Sequence, residues 1–366
     1  MPMLRRNFVA LAEIARTTSM AALARMTAMA AMASLAAMAA PAALVPSAAW
    51  AQQDEQIGPE YADAPETVFN ASVPQGVVHE VVMDSADSKI YPGIVRVDNA
   101  ITARRDPYGN RLAAPAEQTS VPGPYQRHVW VYVPQQYVPG TPAPFMVLQD
   151  GHSYVQRMPV ILDNMIAAHR LPAMILVMVD SGGSDAQGSE RGLEYDTISD
   201  RYTRFIESEV LPRVAAEYHL RFTRKPAGRG TMGGSSGGVA AFTMAWFHPE
   251  LYRKVLIYSG TFVNQASPVD PKTPRGGWEY HDHLIADAAR KPIRIWMEVG
   301  ENDLHFDDPE SSWHNWPLAN QRMAAVLRAK GYDYRFVYAR AAKHVDGRVV
   351  AQTLPAALEW LWRDYR

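Results

Sequence analysis

Two adjacent serines sit inside a run of glycines, Gly233-Gly234-Ser235-Ser236-Gly237-Gly238, between a short lead-in and the apolar run VAAFTMAWF. Where a strand turns sharply into a helix, a serine on the turn is lifted above the sheet and its hydroxyl becomes available as a nucleophile. Glycines flank such a serine because neighbouring side chains would collide in so tight a turn. The pattern G-x-S-x-G fits twice, with Ser235 or with Ser236 at its centre, and the spacing alone does not choose between them. A flexible Gly/Ser linker is the plain alternative. The strand-like residues before the run and the helical pattern after it argue for the turn.

A serine hydroxyl is a poor nucleophile without a base, and the base needs an acid to orient it. On a strand–turn–helix scaffold the chain order is serine, carboxylate, histidine. The strand-like run IRIWMEV leads into Gly300-Glu301-Asn302-Asp303, a loop with two carboxylates, and YRFVYAR leads into Ala341-Ala342-Lys343-His344. The order is therefore Ser235 or Ser236, then Asp303 or Glu301, then His344. Such a site performs acyl transfer through an acyl-enzyme and calls for no cofactor. His281-Asp282-His283, with His305 and His314, has the look of a ligand set. H-x-H is commonly a solvated pair, so no metal is expected.

The elements that must position these residues follow a regular rhythm from about residue 75. VVHEVVM (77–83), HVWVYV (128–133), PFMVLQ (144–149), PAMILVMVD (172–180), KVLIYSG, IRIWMEVG and YRFVYAR read as strands. Helical patterns separate most of them, including VQRMPVILDNMIAAH, SDRYTRFIESEVLPRVAAEYH, LANQRMAAVLRAKG and LPAALEWLWRDY. Apolar strands alternating with helices predict an α/β fold, a mainly parallel, doubly wound sheet covered on both faces. In such sheets ligands bind at the carboxyl ends of the strands, which is where all three loops fall. Residues 84–126 are rich in Pro, Gly, Asp and Asn and read as a mostly irregular insertion.

The first fifty residues are different material. Four arginines and one acidic residue precede the run TAMAAMASLAAMAAPAALVP, which ends in Ala49-Trp50-Ala51. A basic start, an apolar middle and a small-x-small end predict a signal peptide over 1–51, cleaved after Ala51, and a periplasmic or secreted protein. Arg5-Arg6-Asn7-Phe8-Val9 resembles a twin-arginine export signal. Residues 52–74 form a polar N-terminal arm, and 75–366 the catalytic domain. With no cysteine there is neither a disulfide framework nor a lipidated anchor. A formal charge of −2 without a basic stripe gives no surface for nucleic acid or anionic lipid. The expected partner is a small-molecule ester.

Several segments together give a specific resemblance: GGSSGG with its helix, PFMVLQDGHSY, GENDLHF, SWHNWPLANQRMAAVLRAKGYDYRFVY and the late lone histidine. The chain is similar to the enterochelin-esterase-like esterases, α/β-hydrolases related to the enzymes that cleave catecholate siderophore esters. S-formylglutathione hydrolases, feruloyl esterases and mycolyl transferases group with them. The resemblance covers about residues 75–366, strongly in the second half and weakly across 84–126.

The resemblance implies more about individual residues. The family's elbow is G-x-S-x-G-G, and its two closing glycines select Ser235 as nucleophile and leave Ser236 to offer its backbone N–H to the oxyanion. The D-G turn at Asp150-Gly151-His152 implies a second N–H, from Gly151 or His152. The fourth position of G-x-x-D implies Asp303 as the acid, with Glu301 as fallback. His152 precedes the serine, which suits substrate contact better than catalysis. Trp313, Trp316 and His305 are expected near the substrate. Relatives usually carry glycines before the histidine, whereas Ala341, Ala342 and Lys343 stand here, and an inward Lys343 would lower the pKa of His344. Glu194-Tyr195-Asp196 also recurs in relatives without an assignable role. The implied activity is a serine carboxylic ester hydrolase acting on a small or aryl ester. An acyltransferase with the same triad and a non-catalytic protein of the same fold are the alternatives. A peptidase of this fold would need a cap larger than this arm and insertion provide.

Overall fold

The computed structural model describes residues 54–97, 119–182, 190–266 and 269–365. The strands, in chain order, are β1 (Asp54–Ile57), β2 (Val77–Asp84), β3 (Ile94–Val97), β4 (Thr119–Pro122), β5 (Gln126–Val133), β6 (Phe145–Gln149), β7 (Ile175–Val179), β8 (Arg229–Gly234), β9 (Lys254–Tyr258), β10 (Arg294–Gly300) and β11 (Asp333–Ala339). The helices are α1 (Met158–Ala167), α2 (Glu190–Tyr195), α3 (Arg201–Phe205), α4 (Leu211–Glu217), α5 (Ser236–Phe247), α6 (Ile285–Asp287), α7 (Trp316–Ala329) and α8 (Gly347–Trp362). A π-helical stretch, Ile206–Val210, joins α3 to α4.

Nine strands form one sheet in the order β1-β11-β10-β9-β8-β6-β7-β5-β2. β2, β5 and β7 pair antiparallel, and every other pairing in this sheet is parallel. Every residue of β6, β7 and β9 is buried, as the uninterrupted apolar runs require. Alternate residues serve opposite faces. Leu148, Leu176 and Leu256 meet Ile161 and Leu162 of α1 and Leu354 and Leu358 of α8. Val147, Val177 and Ile257 meet Phe205, Phe242 of α5 and Met323 of α7 on the other side. The molecule is the α/β, doubly wound, mainly parallel sheet that the sequence predicts.

Two segments gain structure beyond the sequence reading. The start of the polar arm is an edge strand, with Asp54 opposite Phe336 and Ile57 opposite Ala339. The described ends of the 84–126 insertion carry an antiparallel ribbon, β3 against β4. The 1–51 segment lies outside the described residues, as do 98–118. Among the described residues no helix is long and apolar enough to cross a membrane.

The amino ends of the parallel strands are tied by ions. Arg229, which opens β8, pairs with Glu207, and Lys254 of β9 lies 3.5 Å from Asp364. Arg294 of β10 reaches Asp333 at 2.7 Å and Asp364 at 2.8 Å, and Arg363 holds Asp333 at 2.8 Å.

Candidate active site

β8 ends at Gly234 and α5 begins at Ser236, so the chain turns on Ser235 alone, with φ 56° and ψ −129°. A side-chain-bearing residue in this region costs about 1–3 kcal/mol, which the surrounding contacts must offset. Ser235 N–H donates to Tyr258 O at 2.9 Å, and Thr261 N–H donates to Ser235 O at 3.1 Å. The crossing leaves no room beneath it: a Cβ on Gly233 would lie 2.3 Å from the Gly237 carbonyl. Ser235 lines a cleft of about 470 Å³ together with His152, Tyr154, Arg191 and His344. Its Oγ is 3.4 Å from Thr261 Oγ1. Ser236 is fully buried, and its Oγ accepts from Gln265 Nε2 at 3.1 Å. The fold therefore separates the two serines that G-x-S-x-G leaves equivalent.

His344 stands on the loop between β11 and α8, with Nδ1 2.5 Å from Asp303 Oδ1. Asp303 is buried, and the same oxygen accepts from Leu304 N–H at 2.6 Å. Glu301, on the same turn, faces the other way: it accepts from Ala341 N–H at 2.8 Å and approaches Arg340 at 3.7 Å. Ala341 has φ 55°, so the backbone keeps a glycine-like conformation where alanine replaces glycine. Lys343 is exposed rather than inward.

The aromatic expectations divide. Trp316 is buried edge-on to His344, with ring centres 5.9 Å apart, and His305 stacks on Trp316 at 5.9 Å. Trp313 packs against Arg275, whose guanidinium carbon is 5.5 Å from the ring centre, and none of Trp313, Trp316 and His305 is among the residues that line the cleft of about 470 Å³. On the opposite wall Gly151 is buried, and a Cβ there would lie 2.6 Å from the Met178 backbone carbon. The His152 amide, one of two expected oxyanion donors, is instead donated to Asp180 Oδ1 at 2.9 Å, while its ring Nδ1 meets the same oxygen at 2.8 Å. The Gly151 amide is the other expected donor.

Other site residues escaped the sequence reading. Arg191 grips Asp150 with two hydrogen bonds, 3.1 and 2.9 Å, beside the elbow. The triplet without a role supplies supports: Glu194 accepts from buried Arg127 at 2.8 Å, and Tyr195 OH accepts from Asp150 N–H at 3.3 Å. Asp196 accepts from Gln265 at 3.3 Å, and burial raises its pKa to about 7. In the sequence the triplet is marked only by its likeness to relatives, and Arg191 carries no mark at all.

His281 and His283 do not act together. His281 Nε2 donates to Phe262 O at 2.9 Å, its Nδ1 accepts from Arg322 at 3.2 Å, and burial lowers its pKa to about 3. His283, Asp282 and Glu279 cluster closely enough to share an ion, but Arg275 already bridges the two carboxylates at 3.1 and 2.8 Å.

Non-glycine residues with left-handed backbone gather at this end of the sheet. Asp150 follows β6, Ser235 β8, Ser259 β9, His305 and Trp313 β10, and Ala341 and Val345 β11. The other two among the described residues, His169 and His219, follow helices.

Residues 124–361 match the protein family described as "Putative esterase". The chain is 23% identical over 254 residues to "Uncharacterized protein YbbA" of Bacillus subtilis (strain 168), covering 66% of this chain and 94% of that one. It is 29% identical over 153 residues to the "Iron(III) enterobactin esterase" of Yersinia enterocolitica, covering 41% and 38%. Among solved structures, the enterobactin esterase of Shigella flexneri in the presence of enterobactin superposes with a TM-score of 0.52 at 18% identity, over 79% of this chain and 60% of that one. A ferulic acid esterase gives 0.50 at 15% identity, over 79% and 98%. The chain thus spans less than two thirds of both enterobactin esterases. The structural likenesses establish the α/β-hydrolase fold.

Proposed function

The chain belongs to the Putative esterase family, and from that premise we propose that it hydrolyses carboxylic esters through Ser235, His344 and Asp303. The observation that carries this reading is the 2.5 Å His344–Asp303 pair on the cleft where Ser235 stands on a strained turn. His344 Nε2 takes the Ser235 proton as Oγ attacks the ester carbonyl carbon, and Asp303 steadies the imidazolium. The oxyanion is met by the Ser236 N–H, at the positive end of α5, and by the Gly151 N–H. The tetrahedral intermediate collapses, His344 protonates the departing alcohol, and an acyl-serine remains. Water, losing a proton to His344, then releases the acid and restores the hydroxyl.

A cleft of about 470 Å³ suits a small or aryl ester. The names of the relatives, an enterobactin esterase and a ferulic acid esterase, fit a small ester substrate. Incubation with a fluorophosphonate followed by peptide mapping tests the core of the proposal. An adduct on Ser235 with parallel loss of aryl ester hydrolysis is expected, and an adduct on Ser236, or none, overturns it.

Export is part of the same proposal, with cleavage after Ala51. Sequencing of the protein recovered outside the cytoplasm should read Gln52 first, and an unprocessed cytoplasmic chain in native cells overturns it. Replacing Arg5 and Arg6 by lysine separates the twin-arginine route, which needs the pair, from the general one.

A further inference from the structure

Behind the acid turn lies a second carboxyl that the mechanism above does not use. Glu298, on β10, is fully buried, and both of its side-chain oxygens lack a protein hydrogen-bond partner. Asp303 Oδ2 is also buried and lacks one, while Oδ1 is taken by His344 and Leu304 N–H. The charges acting on Glu298 are Asp303 and Asp346, both negative, and burial together with these carboxylates raises its pKa well above the usual value. The nearby phenols are committed elsewhere: Tyr61 donates to Arg340 O at 2.5 Å, and Tyr258 pairs with Thr353 at 2.9 Å. The backbone ties Glu298 to the histidine loop as well. Its carbonyl accepts from Ser259 N–H at 2.8 Å, and Ser259 Oγ accepts from Val345 N–H at 2.8 Å.

Glu298 and Asp303 are both buried, and charge repulsion between them opposes ionisation of both. Asp303 is the better acceptor of the two, because two N–H groups converge on its Oδ1. Glu298 then keeps a proton, and a buried O–H needs an acceptor just as Asp303 Oδ2 needs a donor. We propose that Glu298 is a positioning residue, a carboxylic acid whose O–H is donated to Asp303 Oδ2 and holds Oδ1 against His344. The kinetic side of this inference rests on the reading of Asp303 and His344 as acid and base.

Infrared spectra of the wild type and Glu298→Gln at neutral pH test the protonation directly. A carboxylic C=O band that is lost in the variant, and shifted in Asp303→Asn, is expected; its absence from the wild type, or no shift, overturns the inference. Glu298→Gln still offers an N–H donor and should keep kcat within about threefold. Glu298→Met offers none and should lower kcat about tenfold or more at unchanged KM, the scale of a lost hydrogen bond to a charged group. Its Tm should be at least that of the wild type, since an apolar group replaces an acid in a buried site. Full kcat in Glu298→Met, or an equal fall in Glu298→Gln, overturns the positioning role. If Ser235→Ala and Asp303→Asn leave hydrolysis intact, the catalytic reading fails, while the infrared band still reports the Glu298–Asp303 contact.

Discussion

The two ends of the parallel sheet differ in kind. At the amino end the larger hollow, about 940 Å³, lies among Ile166, Arg170, Pro172, Trp362 and Tyr365. Its charges are matched: Arg170 meets Glu359 at 2.7 Å and also Glu66, and the strand starts are tied through Arg229, Arg294 and Arg363. At the carboxyl end the cleft is about half as large, yet its loops carry left-handed residues and buried carboxyl oxygens without partners. Matched ion pairs tie this edge, and two left-handed residues, His169 and His219, fall where helices end. Clustered backbone strain, rather than cavity size, distinguishes the end that carries the proposed site.

The sharpest test of this contrast compares the two serines. Ser235→Ala should reduce kcat/KM for an aryl ester by several orders of magnitude, while Ser236→Ala, acting through its backbone, should cost no more than about tenfold. Equal losses would put the register of the elbow in question. Next come the two carboxylates of the acid turn. Asp303→Asn should lower kcat by about a thousandfold, and Glu301→Gln by less than about threefold, because only Asp303 touches His344. A reversed ranking would move the acid to Glu301.

The amino end should respond in the opposite currency. Arg294→Ala leaves Asp333 to Arg363 alone, loosens Asp364 and frees the Leu361 carbonyl, and should lower unfolding free energy by about 1–2 kcal/mol with kcat unchanged. Urea unfolding alongside ester hydrolysis reads both, and a fall in kcat at full stability would erase the distinction between the ends. The smallest effect concerns pH. Burial raises Asp196 from 3.8 to about 7, so between those values the folded chain holds a proton that the unfolded chain releases. Stability therefore declines as pH rises through that window. Asp196→Asn should unfold later than the wild type at pH 8, with the gap closing near pH 4; a gap that does not depend on pH would show that Asp196 is ionised throughout.

Much of this was legible in the chain. Apolar runs gave β6, β7 and β9 because burial on both faces leaves a local signature, and the elbow, acid and histidine loops appear as strand endings. β1 was not legible: Asp-Glu-Gln-Ile has no apolar alternation, and it becomes a strand only because β11 presents an open edge. Arg191, Glu298 and the role of Asp196 were hidden for a related reason. Whether a charged residue is buried depends on the packing of distant segments, and a sequence window does not contain it. Trp313 is a different case, since nearness in sequence to the acid turn does not determine which way its left-handed backbone sends the ring.

The left-handed residues at the strand exits bear on how the protein reaches its native state. Valine and tryptophan have little local tendency toward that conformation, so Val345 and Trp313 will seldom adopt it in the unfolded chain. Such turns form only when the strands and helices on both sides have docked and can hold them. The sheet and its helices should therefore assemble first, and the rim that carries Ser235 and His344 should set last. In a refolding experiment, recovery of far-ultraviolet helical signal should run ahead of recovery of ester hydrolysis, so that the chain is folded in outline before it is able to work.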